Sequence, residues 1–217
     1  MRIVIAGGHG KIALRLERLL SARGDEVYGL VRAPGQADDL RASGAEPIVC
    51  DLESASVQQL ADVLSGTDVA VFAAGAGGGS QAHRTVHVDR DGAVKFVDAA
   101  VLARVPRFLM VSSMGAATRP EGMGDQFARY LQAKGEADAH LTAQPGLEWT
   151  VLRPGVLGDE PGSGRVRLAE HTGRGGVPRD AVAADLAELT SAPSTAGKIL
   201  ELIAGETPVA EAVRAVS

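Results

Sequence analysis

The sequence predicts an α/β fold: a doubly wound parallel sheet with helices on both faces. Three observations predict it. Short apolar, β-branched runs recur along the chain, and between them lie segments whose apolar residues stand three and four apart. The strand-like runs are apolar on both faces, as strands are when helical layers cover a sheet on either side. Right-handed crossovers then leave few topologies, and the doubly wound arrangement is favoured among them.

The elements follow in order. Arg2 to Ala6 is a continuous apolar strand, and IALRLERLLSAR (Ile12 to Arg23) is a helix with Ile12, Leu16, Leu19 and Leu20 on one face. Gly24 just past its end suits a left-handed cap. Glu26 to Val31 is the second strand, Ala37 to Ala42 a short helix, and Pro47 to Cys50 the third strand. A helix at Ser56 to Leu64 leads into a fourth strand, Asp68 to Gly75, that ends in small residues. A long helix, Val86 to Ala103, precedes the fifth strand, Arg107 to Ser113. The helix Phe127 to Ala143 and the sixth strand, Glu148 to Gly155, come next. Beyond lies a Gly/Pro/Arg-rich stretch, then a helix near Asp180 to Leu189 and a strand at Lys198 to Ile203. We expect one domain over residues 1–217, with a small C-terminal, substrate-facing segment at about 155–217.

Composition narrows the function. The 217 residues are 45% hydrophobic and 23% charged, a globular balance with enough chain for a full core. Aromatics are 3% and net charge is -5, so neither a stacking platform nor a basic footprint for nucleic acid is expected. No apolar run approaches the roughly 20 residues that span a bilayer. One cysteine, Cys50, permits no internal disulfide, and no secretory leader is recognisable, so a cytoplasmic location is expected.

The first chemical signal is the turn after the first strand. Gly8-His9-Gly10-Lys11-Ile12-Ala13 fits G-x-G-x-x-G/A, and Gly7 adds a second register, G-x-x-G-x-x-A. Glycines there permit a tight turn and remove the side chains that would bar a pyrophosphate, while the helix N-terminus offers free N–H groups to the anion. Lys11 places a cation where the helix dipole disfavours one, a cost that a nearby phosphate would offset. Arg32 stands about 20 residues beyond the glycines, at the end of the second strand, where an acid would hold the ribose of NAD. A guanidinium there suits the extra 2′-phosphate of NADP, so NADP(H) is the expected cofactor. Asp51, ending the third strand, is a candidate acceptor for the adenine amine.

The second signal is a serine, tyrosine and lysine set. Ser112 and Ser113 end the fifth strand, at the carboxyl edge where open α/β sheets bind ligands. Tyr130 and Lys134 stand four apart on one helix face. A free phenol, with pKa about 10, exchanges protons poorly near neutrality. A lysine cation within reach favours the phenolate and so eases proton exchange with a substrate oxygen.

In this order of motifs the chain resembles the short-chain dehydrogenase/reductase superfamily, specifically its atypical, NmrA-like, NAD(P)H-binding branch. The resemblance rests on AGGHGKIA, VRAP, CDLES, VDRDGAVKFVDAAVLARVPRFLMVSS, YLQAKGEAD, WTVLRPG and PRDAVAADLAELT, and so covers most of the chain. It implies a Rossmann-type domain in which Gly7, Gly10 and Ala13 form the phosphate turn, with Lys11 and Ile12 beside it, and Arg32 takes the 2′-phosphate. It implies that Asp51 and Leu52 face the adenine, and that Ala73, Ala74, Gly75 and Ser112 line the cofactor. Ser113, Tyr130 and Lys134 match the catalytic serine, tyrosine and lysine, and Arg153 and Pro154 flank the nicotinamide. The branch includes flavin and quinone reductases and redox-sensing regulators. The expected function is therefore an NADPH-dependent reductase of a small carbonyl, quinone or flavin-like substrate, with a non-catalytic NADP(H)-sensing protein as the alternative. Only about 60 residues follow LRPG, short for the larger substrate domain of sugar epimerases.

Other residues are read as surface or core. His83 and His87 have helical metal-pair spacing, but no glutamate lies between them in the H-E-x-x-H manner, and no metal is expected. Asp89 and Lys95 read as solvated, Trp149 as core, and GAGGGS (Gly75 to Ser80) as a loop near the cofactor. Residues Glu160 to Gly176 are expected to form a substrate-facing lid carrying Arg165, Arg167, His171 and Arg174. A homodimer through exposed helices is compatible with the sequence.

Overall fold

The structure is a computed structural model that describes residues 1–75, 86–116 and 124–217, apart from the side chains of Val86 and His87. The strands are β1 (Arg2–Ala6), β2 (Glu26–Val31), β3 (Glu46–Val49), β4 (Val69–Phe72), β5 (Arg107–Val111) and β6 (Glu148–Pro154). They alternate with α1 (Lys11–Arg23), α2 (Ala37–Ala42), α3 (Val57–Val63), α4 (Ala93–Leu102) and α5 (Asp125–Thr142). The later chain supplies β7 (Val156–Gly158), β8 (Arg165–Ala169), β9 (Gly176–Pro178), α6 (Arg179–Leu189), β10 (Lys198–Ala204), β11 (Thr207–Pro208) and α7 (Val209–Ala215).

Among the described residues nine strands form the main sheet in the order β11-β8-β10-β6-β5-β4-β1-β2-β3, and β7 pairs with β9 in a separate ribbon. The run 3-2-1-4-5-6 is the doubly wound order, in which chain direction across the sheet reverses between β1 and β4. Ligands bind in the crevice that such a reversal opens. The glycine turn lies at the end of β1, and Ala73 to Gly75 follow β4, so both are delivered to that crevice.

Two apolar layers cover the sheet. Ile3, Ile5, Leu109 and Leu200 face α1, α6 and α7 through Leu16, Leu20, Leu186 and Val213. Val4, Phe72, Phe108 and Val151 face α3, α4 and α5 through Leu60, Phe96 and Leu141. Phe96 centres the second layer, its ring 6.0 Å from that of Phe72 and 5.8 Å from that of Phe108. Gly24 has φ +92 and caps α1 as expected. Among the described residues no helix is long and apolar enough to cross a membrane.

Several expectations are corrected. The sheet is mostly parallel, as expected, and what the expectation lacked is the antiparallel pairing of β8 with β10 and of β11 with β8 at one edge. The segment read as a lid therefore supplies β8, whose Val166 and Leu168 point inward and whose Arg165 and Arg167 point outward, the alternation of a half-solvated strand. Leu19 is exposed, because the buried stripe of α1 runs through Ala13, Leu16 and Leu20 instead. The long helix is two elements, a π-helical turn at Val86–Gly92 and then α4. Lys95 is half-buried and donates to the Glu53 and Ala55 carbonyls. Trp149 is half-buried at the edge of the second layer.

Candidate cofactor cleft and active site

The turn after β1 is built for close approach. Gly7 has φ +80, and a Cβ there would stand 2.5 Å from Ala74 Cα and 2.7 Å from its nitrogen. A Cβ on Gly10 would stand 3.0 Å from the Gly7 carbonyl oxygen, which already accepts the Gly10 N–H at 2.8 Å. Side chains are thus excluded where β1 and β4 approach. Helix α1 begins at once, with no side-chain cap and no acid in its first turn, leaving its N-terminal donors to the cleft. These features fit the diphosphate of a dinucleotide.

The cleft has a volume of about 1260 Å³. Gly7, Gly10, Lys11 and Ile12 line one part; Arg32, Asp51 and Leu52 line the adenosine side expected from the strand order; Ala73, Ala74 and Gly75 line the β4 end. Arg32 is exposed and forms no ion pair among the described residues. Lys11 does have a protein counter-ion, Asp159 at 2.7 Å, so its charge at a helix start is partly explained without a ligand.

Ser112, Tyr130 and Lys134 line the same cleft. Lys134 Nζ is buried and lies 3.2 Å from Asp89 Oδ1, 3.2 Å from the Val111 carbonyl and 3.5 Å from the Ala74 carbonyl. Burial opposes its charge, but attraction to Asp89, and then to Tyr130 and Asp138, outweighs this and holds its pKa above the ordinary lysine value. Nζ stands 5.9 Å from the centre of the Tyr130 ring, which stacks on Phe127 at 5.7 Å.

Asp89 corrects the reading of a solvated helix residue. It is 1% exposed, lines the cleft and packs where the π-helical turn meets α5. Nothing in its local spacing marks it, since its burial depends on Lys134, 45 positions further on in the chain.

Beneath the wall lies a second network. Ser112 Oγ donates to Asp138 Oδ2 at 2.8 Å, and Arg153 donates to the same oxygen through Nε at 3.0 Å and Nη2 at 2.8 Å. Burial pushes the Asp138 carboxyl up, against the pull of Ser112 and Arg153. Arg153 thus fixes a buried carboxylate, and neither it nor Pro154 is on the cleft wall. Ser113 also lies off the wall, half-buried, its hydroxyl donating to the Met114 carbonyl at 3.2 Å.

A family described as NAD(P)H-binding matches residues 7–193, the span from the glycine turn to the end of α6 and just beyond. The chain belongs to the NAD(P)H-binding family. It is 37% identical over 215 residues to YhfK of Bacillus subtilis (strain 168), described as an uncharacterized sugar epimerase, with 99% of each chain covered. It is similar to the structure of a proposed NAD-dependent epimerase/dehydratase from Bacillus halodurans, with TM-score 0.91, 34% identity and 99% of each chain covered. The oxidoreductase ylbE from Lactococcus lactis superposes with TM-score 0.86 at 26% identity, over 100% of this chain and 96% of that one.

For an NAD(P)H-binding protein the cleft also contains residues that sequence reasoning passed over. Asp89, Phe127, Leu157 and Arg179 all line it, Leu157 from β7 and Arg179 from the first position of α6. Arg165, Arg167, His171 and Arg174 do not. His83 and the rest of the GAGGGS loop beyond Gly75 lie outside the described residues, as does the side chain of His87. Among the described residues no group of three or more His, Cys, Asp or Glu could hold a metal ion.

Proposed function

We propose that the protein is an NADPH-dependent oxidoreductase that reduces a small carbonyl, quinone or flavin-like substrate, with Tyr130 as proton donor. The observation that carries this reading is that Tyr130 and Lys134 open onto the same cleft as the glycine turn and Arg32. When bound, the nicotinamide supplies a hydride; the chain supplies the rest. The turn and the start of α1 bind the diphosphate through backbone N–H groups, and Arg32 binds the 2′-phosphate. Lys134, kept cationic by Asp89, stabilises the negative charge left on the Tyr130 oxygen when the phenol gives its proton to the substrate oxygen. Ser113, which lies off the cleft wall, takes the role of orienting that oxygen once its hydroxyl turns from the Met114 carbonyl toward the cleft. Its present bond, at 3.2 Å, is long for a hydroxyl donor and exchangeable, whereas Ser112 is committed to Asp138. The segment from residue 155 to 217 faces the substrate through Leu157, which lines the cleft from β7.

The test is to titrate the purified protein with NADPH and NADH and then measure turnover of a carbonyl, quinone and flavin panel. Tyr130→Phe is expected to leave NADPH affinity within about twofold and lower turnover at least tenfold, a factor within the range of one general acid. Unchanged turnover would discard the tyrosine mechanism in favour of direct hydride transfer.

One observation favours a second reading, a non-catalytic NADP(H)-sensing protein. The Lys134 charge is already matched by a buried carboxylate 3.2 Å away, which leaves less of it to act on Tyr130. That reading requires no turnover on any panel member, and a partner protein whose affinity differs between the oxidised and reduced cofactor.

A further inference from the structure

Lys11 opens α1 and Arg179 opens α6, and both line the cleft. The two cations share one counter-ion. Asp159 follows β7, where Oδ2 accepts from Lys11 Nζ at 2.7 Å and Oδ1 accepts from Arg179 Nη1 at 2.8 Å. The cations are on the cleft wall and the carboxylate is not. Its side chain is half exposed, and that of Lys11 is more so. A pair as exposed as Lys11–Asp159 contributes little, and the Arg179 side chain, 21% exposed, shares that half-exposed carboxylate from the cleft wall.

The position of Arg179 does not depend on Asp159. One turn along α1, Arg15 Nε donates to Asp180 Oδ1 at 2.5 Å, and Asp180 Oδ2 accepts the Gly162 N–H at 3.3 Å. Further on, Arg23 reaches the Ala187 carbonyl at 2.7 Å and the Thr190 hydroxyl at 2.8 Å. Helices α1 and α6 are thus fastened along their length, and the start of α6 stays beside the glycine turn whatever Asp159 does.

A guanidinium fork fits two phosphoryl oxygens and a lysine acts on them as a point charge. Building on the dinucleotide reading of this cleft, we propose that Arg179 and Lys11 form an anion seat beside the glycine turn for the cofactor's diphosphate, with Asp159 as its exchangeable internal anion. The C-terminal part of the chain then contributes directly to cofactor binding. A purely structural strap, in which Asp159 holds β7 in place, predicts the opposite sign for removal of the Asp159 charge, because loosening β7 would weaken binding.

The experiment is calorimetry on the full chain at low salt with NADPH, NADH, ADP-ribose and 2′-AMP. Arg179→Ala should weaken NADPH, NADH and ADP-ribose alike, by about tenfold, the worth of one charge-assisted hydrogen bond, and leave 2′-AMP unchanged. Asp159→Asn should tighten the same three by about threefold, the scale of a surface ion pair. The seat is overturned if the wild type binds NADPH but Arg179→Ala binds as well as it does. It is equally overturned if Asp159→Asn weakens binding, or if only substrate affinity, and not ADP-ribose affinity, responds to Arg179. Absence of heat from every dinucleotide with the wild type would overturn the cofactor reading and the seat together.

Discussion

Arg32 sits just past the end of β2, exposed on the cleft and without an ion-pair partner among the described residues. In the NADP(H) reading proposed above, this solvent-facing guanidinium is the group assigned to the 2′-phosphate. Arg32→Ala should therefore weaken NADPH by at least about tenfold, the loss of a charge-assisted contact, while NADH changes by less than about twofold. Parallel titrations measure this, and equal losses for the two cofactors would contradict the phosphate assignment. The place of Arg32 on the cleft is legible in the sequence because its signal is local: a strand end a fixed distance after a glycine turn. The glycine turn is legible for the same reason. Asp89, Leu157 and Arg179 are not, because each reaches the cleft through contacts with distant parts of the chain, which no periodicity encodes.

At the scale of elements, β1 to β6 and their helices follow from apolar runs and spacing, and apart from the start of α4 the structure moves their ends by a few residues only. The sequence is hardest to read where the pattern changes character. Strand β8 alternates inward and outward residues within an Arg- and Gly-rich stretch, which reads as an exposed loop until its antiparallel partner β10 is known. The π-helical turn at Val86–Gly92 is hidden because it continues the apolar spacing of a helix, and the wider turn shows only in where the side chains land. It directs Asp89 onto Lys134 of α5, and the pair has been taken out of water. Removing one partner of a buried pair strands the other. Asp89→Leu is accordingly expected to destabilise the protein by about 3–5 kcal/mol. In urea unfolding, Asp89→Leu combined with Lys134→Met should recover most of that loss. A single variant as stable as the wild type would show that the pair does not hold the π-helical turn against α5.

At the scale of the whole molecule, the layer between α1, α6 and the sheet contains two carboxyl groups without a hydrogen-bond partner among the described residues. Glu17 and Asp185 are fully buried, and neither oxygen of either group is bonded there. Burial pushes the Glu17 pKa from 4.5 to about 8. Burial likewise pushes Asp185 from 3.8 to about 8, with Glu188 adding to it. Both are held protonated in the folded protein near neutrality. In the unfolded chain each loses its proton near its ordinary value, so between about pH 4 and pH 8 the folded state binds more protons. Stability therefore falls as pH rises through that window; most of the loss is in place by about pH 8, and none of it is present below about pH 4. Each tenfold difference in proton affinity between the folded and unfolded states is worth about 1.4 kcal/mol, so the two groups together carry a loss on the order of several kcal/mol, a large share of a typical domain's stability. Groups with lowered values, such as Asp25, titrate below this window and do not oppose the trend. Wild-type urea midpoints should drop between about pH 5 and pH 8. The Glu17→Gln, Asp185→Asn double variant should be flatter across the same range and more stable than the wild type at its alkaline end. If the double variant keeps the wild-type slope, the proton uptake on folding resides elsewhere, and these two carboxyls are ionised in the core.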